Sequence, residues 1–187
     1  MCLLSVFYPD EIKDSAYEID YEGLYESGIR GLIYDIDNTL VQHGFPADER
    51  AIRLFERLKS IGFKITLLSN NKEARVKMFN DSVNVNYIHK AGKPLKKGYI
   101  KAMKMMGTDL SSTLFIGDQL FTDIFGAKLC NMKNILVKPI DPHEEIQIVL
   151  KRKLEAIVLF FYLRRKKNEN LRKYKSNRNN RKSGASY

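Results

Sequence analysis

The run Gly31-Leu32-Ile33-Tyr34, followed by Asp35-Ile36-Asp37-Asn38-Thr39, decides how this chain folds: uncharged residues read as a buried strand, and two carboxylates appear where it stops. A second apolar run, Phe63-Lys64-Ile65-Thr66-Leu67-Leu68, likewise ends in polar residues, Ser69-Asn70-Asn71. Between them Ala51, Ile52, Leu54, Phe55, Leu58 and Ile61 recur at helical spacing from Ala47 to Ser60, and Gly62 follows as a C-terminal stop. Together these segments make a strand–helix–strand unit.

The alternation continues along the chain. Helices are expected near Lys72–Asn80, over Pro94–Met106 before Gly107, and over Phe121–Cys130. Strands are expected near Asn86–Ile88, Thr113–Gly117 and Asn134–Val137. Such an order predicts an α/β fold, a Rossmann-like three-layer sandwich whose mainly parallel, five-stranded sheet is covered by helices on both faces. In Asp141-Pro142-His143-Glu144 an N-cap Asp, a Pro at the first helical position and a Glu at the third start a long last helix from about residue 142.

At 187 residues, the chain can bury one core without disulfides or a structural metal. Cys2 and Cys130 match no zinc or redox spacing and read as reduced thiols of an intracellular protein. The N-terminus lacks the pattern of an export signal, and the longest apolar run, Ala156 to Leu163, is far short of the roughly 20 residues that span a bilayer. No transmembrane segment is expected, and the protein is placed in the cytoplasm.

Charge is concentrated at one end. Residues 164–187 hold ten Lys or Arg and one Glu, so +9 of the net +10 lies there. They read as a basic tail, disordered toward its end, after a domain over 1–163. Its partners would be polyanions, either an anionic membrane surface or RNA, and the alternative is a solvated tail that aids solubility.

Sites in parallel sheets form at the carboxyl ends of strands, and the polar residues fall there. A carboxylate that attacks phosphorus divides ester hydrolysis into two easier steps, and a second one can move the protons. Asp35 is assigned to attack and Asp37 to proton transfer. Phosphate and attacking carboxylate are both anionic, so cations must bring them together. Lys93 supplies one, and Asp118 with Asp35 offers hard oxygens for Mg²⁺. The Ser69 hydroxyl, with Asn70 beside it, can bind phosphoryl oxygens. Asn70 and Asn71 have the alternative of capping the next helix, Thr39 that of capping a turn, and Asp123 that of a helix-start carboxylate. His43, His89 and His143 fit no motif.

DIDNT after the first strand, LLSNN after the second, GKP before a helix and GDQLFTD after a later strand resemble, in order, the four motifs of the haloacid dehalogenase-like superfamily, subfamily IIIA. The resemblance implies that Asp35 is nucleophile and metal ligand and that Asp37 is general acid/base and a ligand through its carbonyl. It implies that Thr39 orients the loop, that Ser69 and Lys93 bind phosphate, and that Asp118 holds the metal with Asp123 supporting.

Cap domains in this superfamily are inserted after the first motif or between the second and third. Here only Leu40 to Pro46 precede the next helix, and about twenty residues separate Asn71 from Lys93, so neither place has room. An open mouth favours a phosphate carried on something large. GIRGLIYDIDNTL, AGKP, GDQLFTDI and ILVKPI resemble the YqeG-like branch of cap-less phosphatases over roughly Asp20 to Leu163, a branch that includes phosphatidylglycerophosphate phosphatases. The resemblance implies a Mg²⁺-dependent hydrolase of that lipid, acting as a peripheral protein at the inner membrane face. The rivals are a phosphatase of nucleic-acid ends or phosphoproteins, and an RNA- or ribosome-associated binding protein without turnover. Ile146, Leu150, Leu154, Ile157 and Phe161 recur at helical spacing beside Lys151, Arg152, Lys153, Arg164 and Arg165, a stripe that either lies on a membrane or closes one face of the sheet.

Overall fold

The computed structural model describes residues 3–141, 153–169 and 172. Among these residues six strands form one sheet: β1 (Glu11–Lys13), β2 (Gly31–Tyr34), β3 (Lys64–Leu68), β4 (Asn86–Ile88), β5 (Thr113–Gly117) and β6 (Lys133–Val137). Their order is β1-β6-β5-β2-β3-β4, and every pairing is parallel. Helices α1 (Tyr21–Glu26), α2 (Glu49–Ile61), α3 (Glu73–Val83), α4 (Lys96–Met106) and α5 (Phe125–Leu129) connect the strands, and a further helix, α6, covers residues 153–169.

The sheet has six strands where five were expected, because β1 adds an edge strand beside β6. Its three residues carry one apolar side chain, too little to announce a strand. Its place is set by long-range contacts: Asp10 N donates to Asn134 Oδ1 at 3.1 Å, and Asp10 Oδ2 accepts from Asn134 N and Nδ2 at 3.1 and 2.9 Å. The expected helix over Phe121–Cys130 also differs at its start. Leu120–Ile124 form a π-helical turn, with Gln119 O accepting from both Asp123 N and Ile124 N, before α5 begins.

Strand side chains alternate between the faces, which divides the core into layers. Leu32, Tyr34, Leu114 and Ile116 pack with Leu54, Phe55, Leu58 and Phe79 of α2 and α3. Ile33 and Phe115, from the same strands, pack with Tyr99, Ala102 and Met103 of α4. Tyr34 stays buried because its hydroxyl donates to Tyr21 Oη at 2.6 Å, and Tyr21 Oη donates to Ala16 O at 2.5 Å.

Sequence signals for α2 are matched at both ends. The Asp48 carboxylate accepts from Ala51 N at 2.8 Å, and Gly62 closes the helix at φ 107, in the left-handed region. Asp48→Ala is expected to cost about 1 kcal/mol, read as a melting temperature lower by roughly 2–4 °C in thermal unfolding.

Helix α6 goes against one of the two readings of the C-terminal stripe, that it closes a face of the sheet. Leu154, Ile157 and Phe161 are 51, 54 and 45 % exposed, whereas Glu155, Val158 and Tyr162 are buried. A different face thus packs on the fold, where Val158 and Tyr162 meet Tyr8, Leu120, Ile124 and Leu136. The helix also continues past Leu163, so Arg164-Arg165-Lys166-Lys167, assigned from sequence to the tail, are helical. Ile146, Leu150, Lys151 and Arg152, the helix start near residue 142, and most of the basic tail lie outside the described residues.

Candidate active site

From β2 the chain runs to β3 on one side, and after β4 it crosses back to β5 on the other side of β2. The carboxyl ends of β2 and β5 therefore border the crevice where strand order reverses, the place where such sheets bind ligands. Asp35 and Asp37 follow β2, Ser69 follows β3, Lys93 precedes α4, and Asp118 and Asp123 follow β5. These six side chains and Thr39 are all buried, and the fold brings them to one mouth.

Lys93 links two of the segments. Its Nζ lies 2.8 Å from Asp35 Oδ1 and 2.7 Å from Asp123 Oδ1. Carboxylate oxygens of Asp35, Asp118 and Asp123 all lie within 4.8 Å of one another, and Thr39 Oγ1 donates to Asp118 Oδ1 at 3.1 Å. Burial pushes the Asp35 carboxyl up to about 6, against the opposing pull of the Lys93 ammonium. Burial works to lower the pKa of Lys93, but the carboxylates of Asp123 and Asp35 outweigh it and raise the pKa, so the ammonium keeps its charge.

Asp123 resolves in favour of a central position. It is 0 % exposed, pairs with Lys93, and accepts from Gln119 N at 3.1 Å across the π turn. Gly117 makes room for it, since a Cβ there would stand 2.5 Å from Asp123 Oδ2. Tyr99 steadies the same turn by donating to Thr122 O at 2.8 Å and Asp123 O at 3.2 Å.

Asp37 has a separate set of partners. It accepts from Gly44 N at 2.9 Å, from Arg75 Nε and Nη2 at 3.1 and 2.7 Å, and from Asn71 Nδ2. His43 Nδ1 stands 3.8 Å away. The loop folds back at Asn38, whose φ of 61 an Asn tolerates well, and Asn38 N donates to Val41 O at 2.7 Å. The two carboxylates of DxD therefore face different surroundings: Asp35 shares the Lys93 ammonium with neighbouring carboxylates, and Asp37 is held by Arg75, Asn71 and Gly44 N.

Ser69 Oγ accepts from Asn71 N at 3.1 Å, which leaves its O–H proton to donate to an incoming oxygen. Asn70 commits both ends of its amide to the backbone of Lys93, accepting from its N–H at 2.7 Å and donating to its C=O at 3.2 Å. Neither Asn70 nor Asn71 caps α3, whose N-cap position is Lys72 without a side-chain bond. Asn70 positions Lys93 instead, and Asn71 holds Asp37. Arg75 escaped the sequence reading, because a first-turn arginine of α3 has no spacing signal that predicts its reach to Asp37.

Buried carboxylate oxygens of Asp35, Asp118 and Asp123, within 4.8 Å of one another, make a donor set suited to a hard divalent cation. Among the described residues no cap covers the mouth. The stretch from Leu40 to Asp48 enters α2 directly, and only α3 and β4 lie between Asn71 and Lys93.

A family model for haloacid dehalogenase-like hydrolases matches residues 40–131. A probable phosphatase of Bacillus subtilis, YqeG, is 37 % identical over 158 residues, which cover 84 % of this chain and 92 % of that protein. The phosphatidylglycerophosphate phosphatase 1 of Arabidopsis thaliana chloroplasts and mitochondria is 29 % identical over 82 % of this chain, but the match spans only 47 % of that protein. Among solved structures, the cobalt-bound deoxy-D-mannose-octulosonate 8-phosphate phosphatase of Haemophilus influenzae superposes with a TM-score of 0.51 at 16 % identity, covering 58 % of this chain and 69 % of that one. That likeness supports the fold.

Proposed function

This chain belongs to the haloacid dehalogenase-like phosphatases, and from that premise we propose that it hydrolyses the terminal phosphomonoester of phosphatidylglycerophosphate at a membrane surface. The observation that carries the reading is the joining of an uncapped mouth that holds Lys93 to a helix that exposes Leu154, Ile157, Phe160, Phe161 and Leu163 beside Arg164 to Lys167. Exposed apolar side chains with flanking cations suit the boundary of an anionic bilayer. A nucleic-acid end would use the cations but has no use for the apolar side chains. The similarity to the Arabidopsis enzyme supports the same lipid.

Asp35 Oδ attacks phosphorus and forms an acyl phosphate as the bond to the lipid oxygen breaks, and Asp37, entering this step as the carboxylic acid, gives that oxygen its proton. Asp37 then takes a proton from water, whose oxygen attacks phosphorus, releases inorganic phosphate and restores the Asp35 carboxylate. Arg75, Asn71 and Gly44 N hold Asp37 in place for both transfers. Ser69 and Lys93 orient the phosphoryl oxygens, and Lys93 offsets their charge. Asp35, Asp118 and the carbonyl of Asp37 would hold Mg²⁺, with Asp123 supporting. When bound, the ion neutralises the two anions as they meet.

Purified protein with Mg²⁺ is expected to release phosphate from this lipid in vesicles, and a chelator is expected to stop the release until Mg²⁺ is returned. Activity no higher than that of Asp35→Asn would refute the substrate. Removing residues 164–187 should lower vesicle association. Loss of RNA binding with lipid turnover intact would instead favour the nucleic-acid reading.

A further inference from the structure

We propose that the cleft between the carboxyl end of β6 and helix α6 receives an acyl chain of the phospholipid whose phosphomonoester is cleaved; the proposal rests on the lipid reading above. The cleft has a volume of 420 Å³, within the roughly 300–1,000 Å³ typical of small-ligand sites. Leu120, Leu136 and Val137 line it from the fold, and Ala156, Leu159 and Leu163 line it from α6. Glu155 also borders it, but Glu155 is buried and its Oε1 accepts from Leu120 N at 2.7 Å, so its charge is turned toward the backbone.

The cleft's polar neighbours match the remainder of a phospholipid. Asp118 forms part of its wall, and an Asp118 carboxylate oxygen lies within 4.8 Å of one on Asp35. The cleft and the site thus share Asp118 as a common wall, which sets an apolar chain in the cleft beside a phosphate at the nucleophile. Lys138 and Lys166 stand among the lining residues and would meet the anionic phosphodiester between the chain and the terminal phosphate. Lys138 is 67 % exposed in its side chain, where its ion pair with Asp14 is weak enough to yield to a ligand.

Helix α6 serves both sides of this arrangement. One side carries Ala156, Leu159 and Leu163 at the cleft, and Leu154, Ile157, Phe160 and Phe161 are exposed on the same helix. With those side chains in the bilayer boundary, a lipid chain enters the cleft without crossing water. A soluble phosphomonoester would leave these apolar walls wet, so the cleft favours a chain-bearing substrate over a metabolite.

Non-hydrolysable probes test the cleft apart from turnover. With Mg²⁺ present, calorimetry should show octylphosphonate binding at least about tenfold more tightly than methylphosphonate, since each buried methylene adds affinity. Ala156→Phe fills the cleft from an exposed helix position. It is expected to erase the chain-length advantage and leave methylphosphonate binding unchanged, which also reports an intact fold and site. Equal affinities in the unaltered protein would overturn the proposal, as would an advantage that survives Ala156→Phe. A chain-length advantage without turnover of phosphatidylglycerophosphate would keep the cleft and remove the substrate assignment. Binding of neither probe would remove both.

Discussion

Asp35→Asn is expected to lower phosphate release by roughly 10⁴-fold or more while the chain stays folded. Asparagine has almost the same shape, but its amide cannot form the acyl phosphate, so the reaction loses its first step. Folding responds in the opposite direction. Burial pushes Asp35 up to about 6, so ionising it opposes folding. Its folded pKa lies above the ordinary carboxylate value of about 3.9, so the favourable contribution is complete at low pH and declines as pH rises through about 6. Metal-free Asp35→Asn should therefore melt no lower than the unaltered protein at pH 7.5, and any advantage should shrink toward pH 4. Thermal unfolding at both pH values checks this beside the phosphate assay. An inactive variant that melts well below its parent would show that Asp35 serves the fold rather than the reaction.

The order of strands and helices was legible because parallel strands buried on both faces are written as continuous apolar runs. Gly31–Tyr34 and Thr113–Gly117 are such runs, and the residues after them are the site. Edge strand β1 was not legible, since one isoleucine between Glu11 and Lys13 carries no period, and the Asp10–Asn134 bonds that place it join residues 124 positions apart. The π turn escaped for a related reason. Its bonding depends on Gln119 O reaching Asp123 N and Ile124 N, which the apolar spacing of the segment does not encode.

Charged groups that act through contacts across the fold were hardest to read. Arg75 and Glu155 look like ordinary surface residues of helices, yet one holds Asp37 and the other accepts Leu120 N at the start of the turn that carries Asp123. An orphan N–H at a buried helix start needs an acceptor, and only the packed fold shows that Glu155 provides it. The stripe on α6 left two places open because spacing reports that a helix has an apolar side, and it does not say which side meets the sheet. Val158 and Tyr162 do so, and Glu155 is buried on the same helix.

Lys93→Met is expected to lower activity by roughly 10²–10³-fold and stability by about 3–5 kcal/mol. Two effects share this origin. Methionine fills similar space, but Asp35 and Asp123 lose the ammonium that stands 2.8 and 2.7 Å from them, and both carboxylates are buried. Breaking one partner out of a buried ion pair leaves uncompensated charge, which costs far more than the intact pair contributes. In thermal unfolding without metal the variant should melt roughly 6–20 °C lower. Mg²⁺ should recover part of that loss, since a divalent cation held by Asp35 and Asp118 would offset carboxylate charge that the ammonium no longer meets. The melting temperature should therefore rise more steeply with added Mg²⁺ in Lys93→Met than in the unaltered protein, although activity stays low because no side-chain cation meets the phosphate. Equal Mg²⁺ dependence in the two proteins would show that Asp35 and Asp118 do not hold the ion.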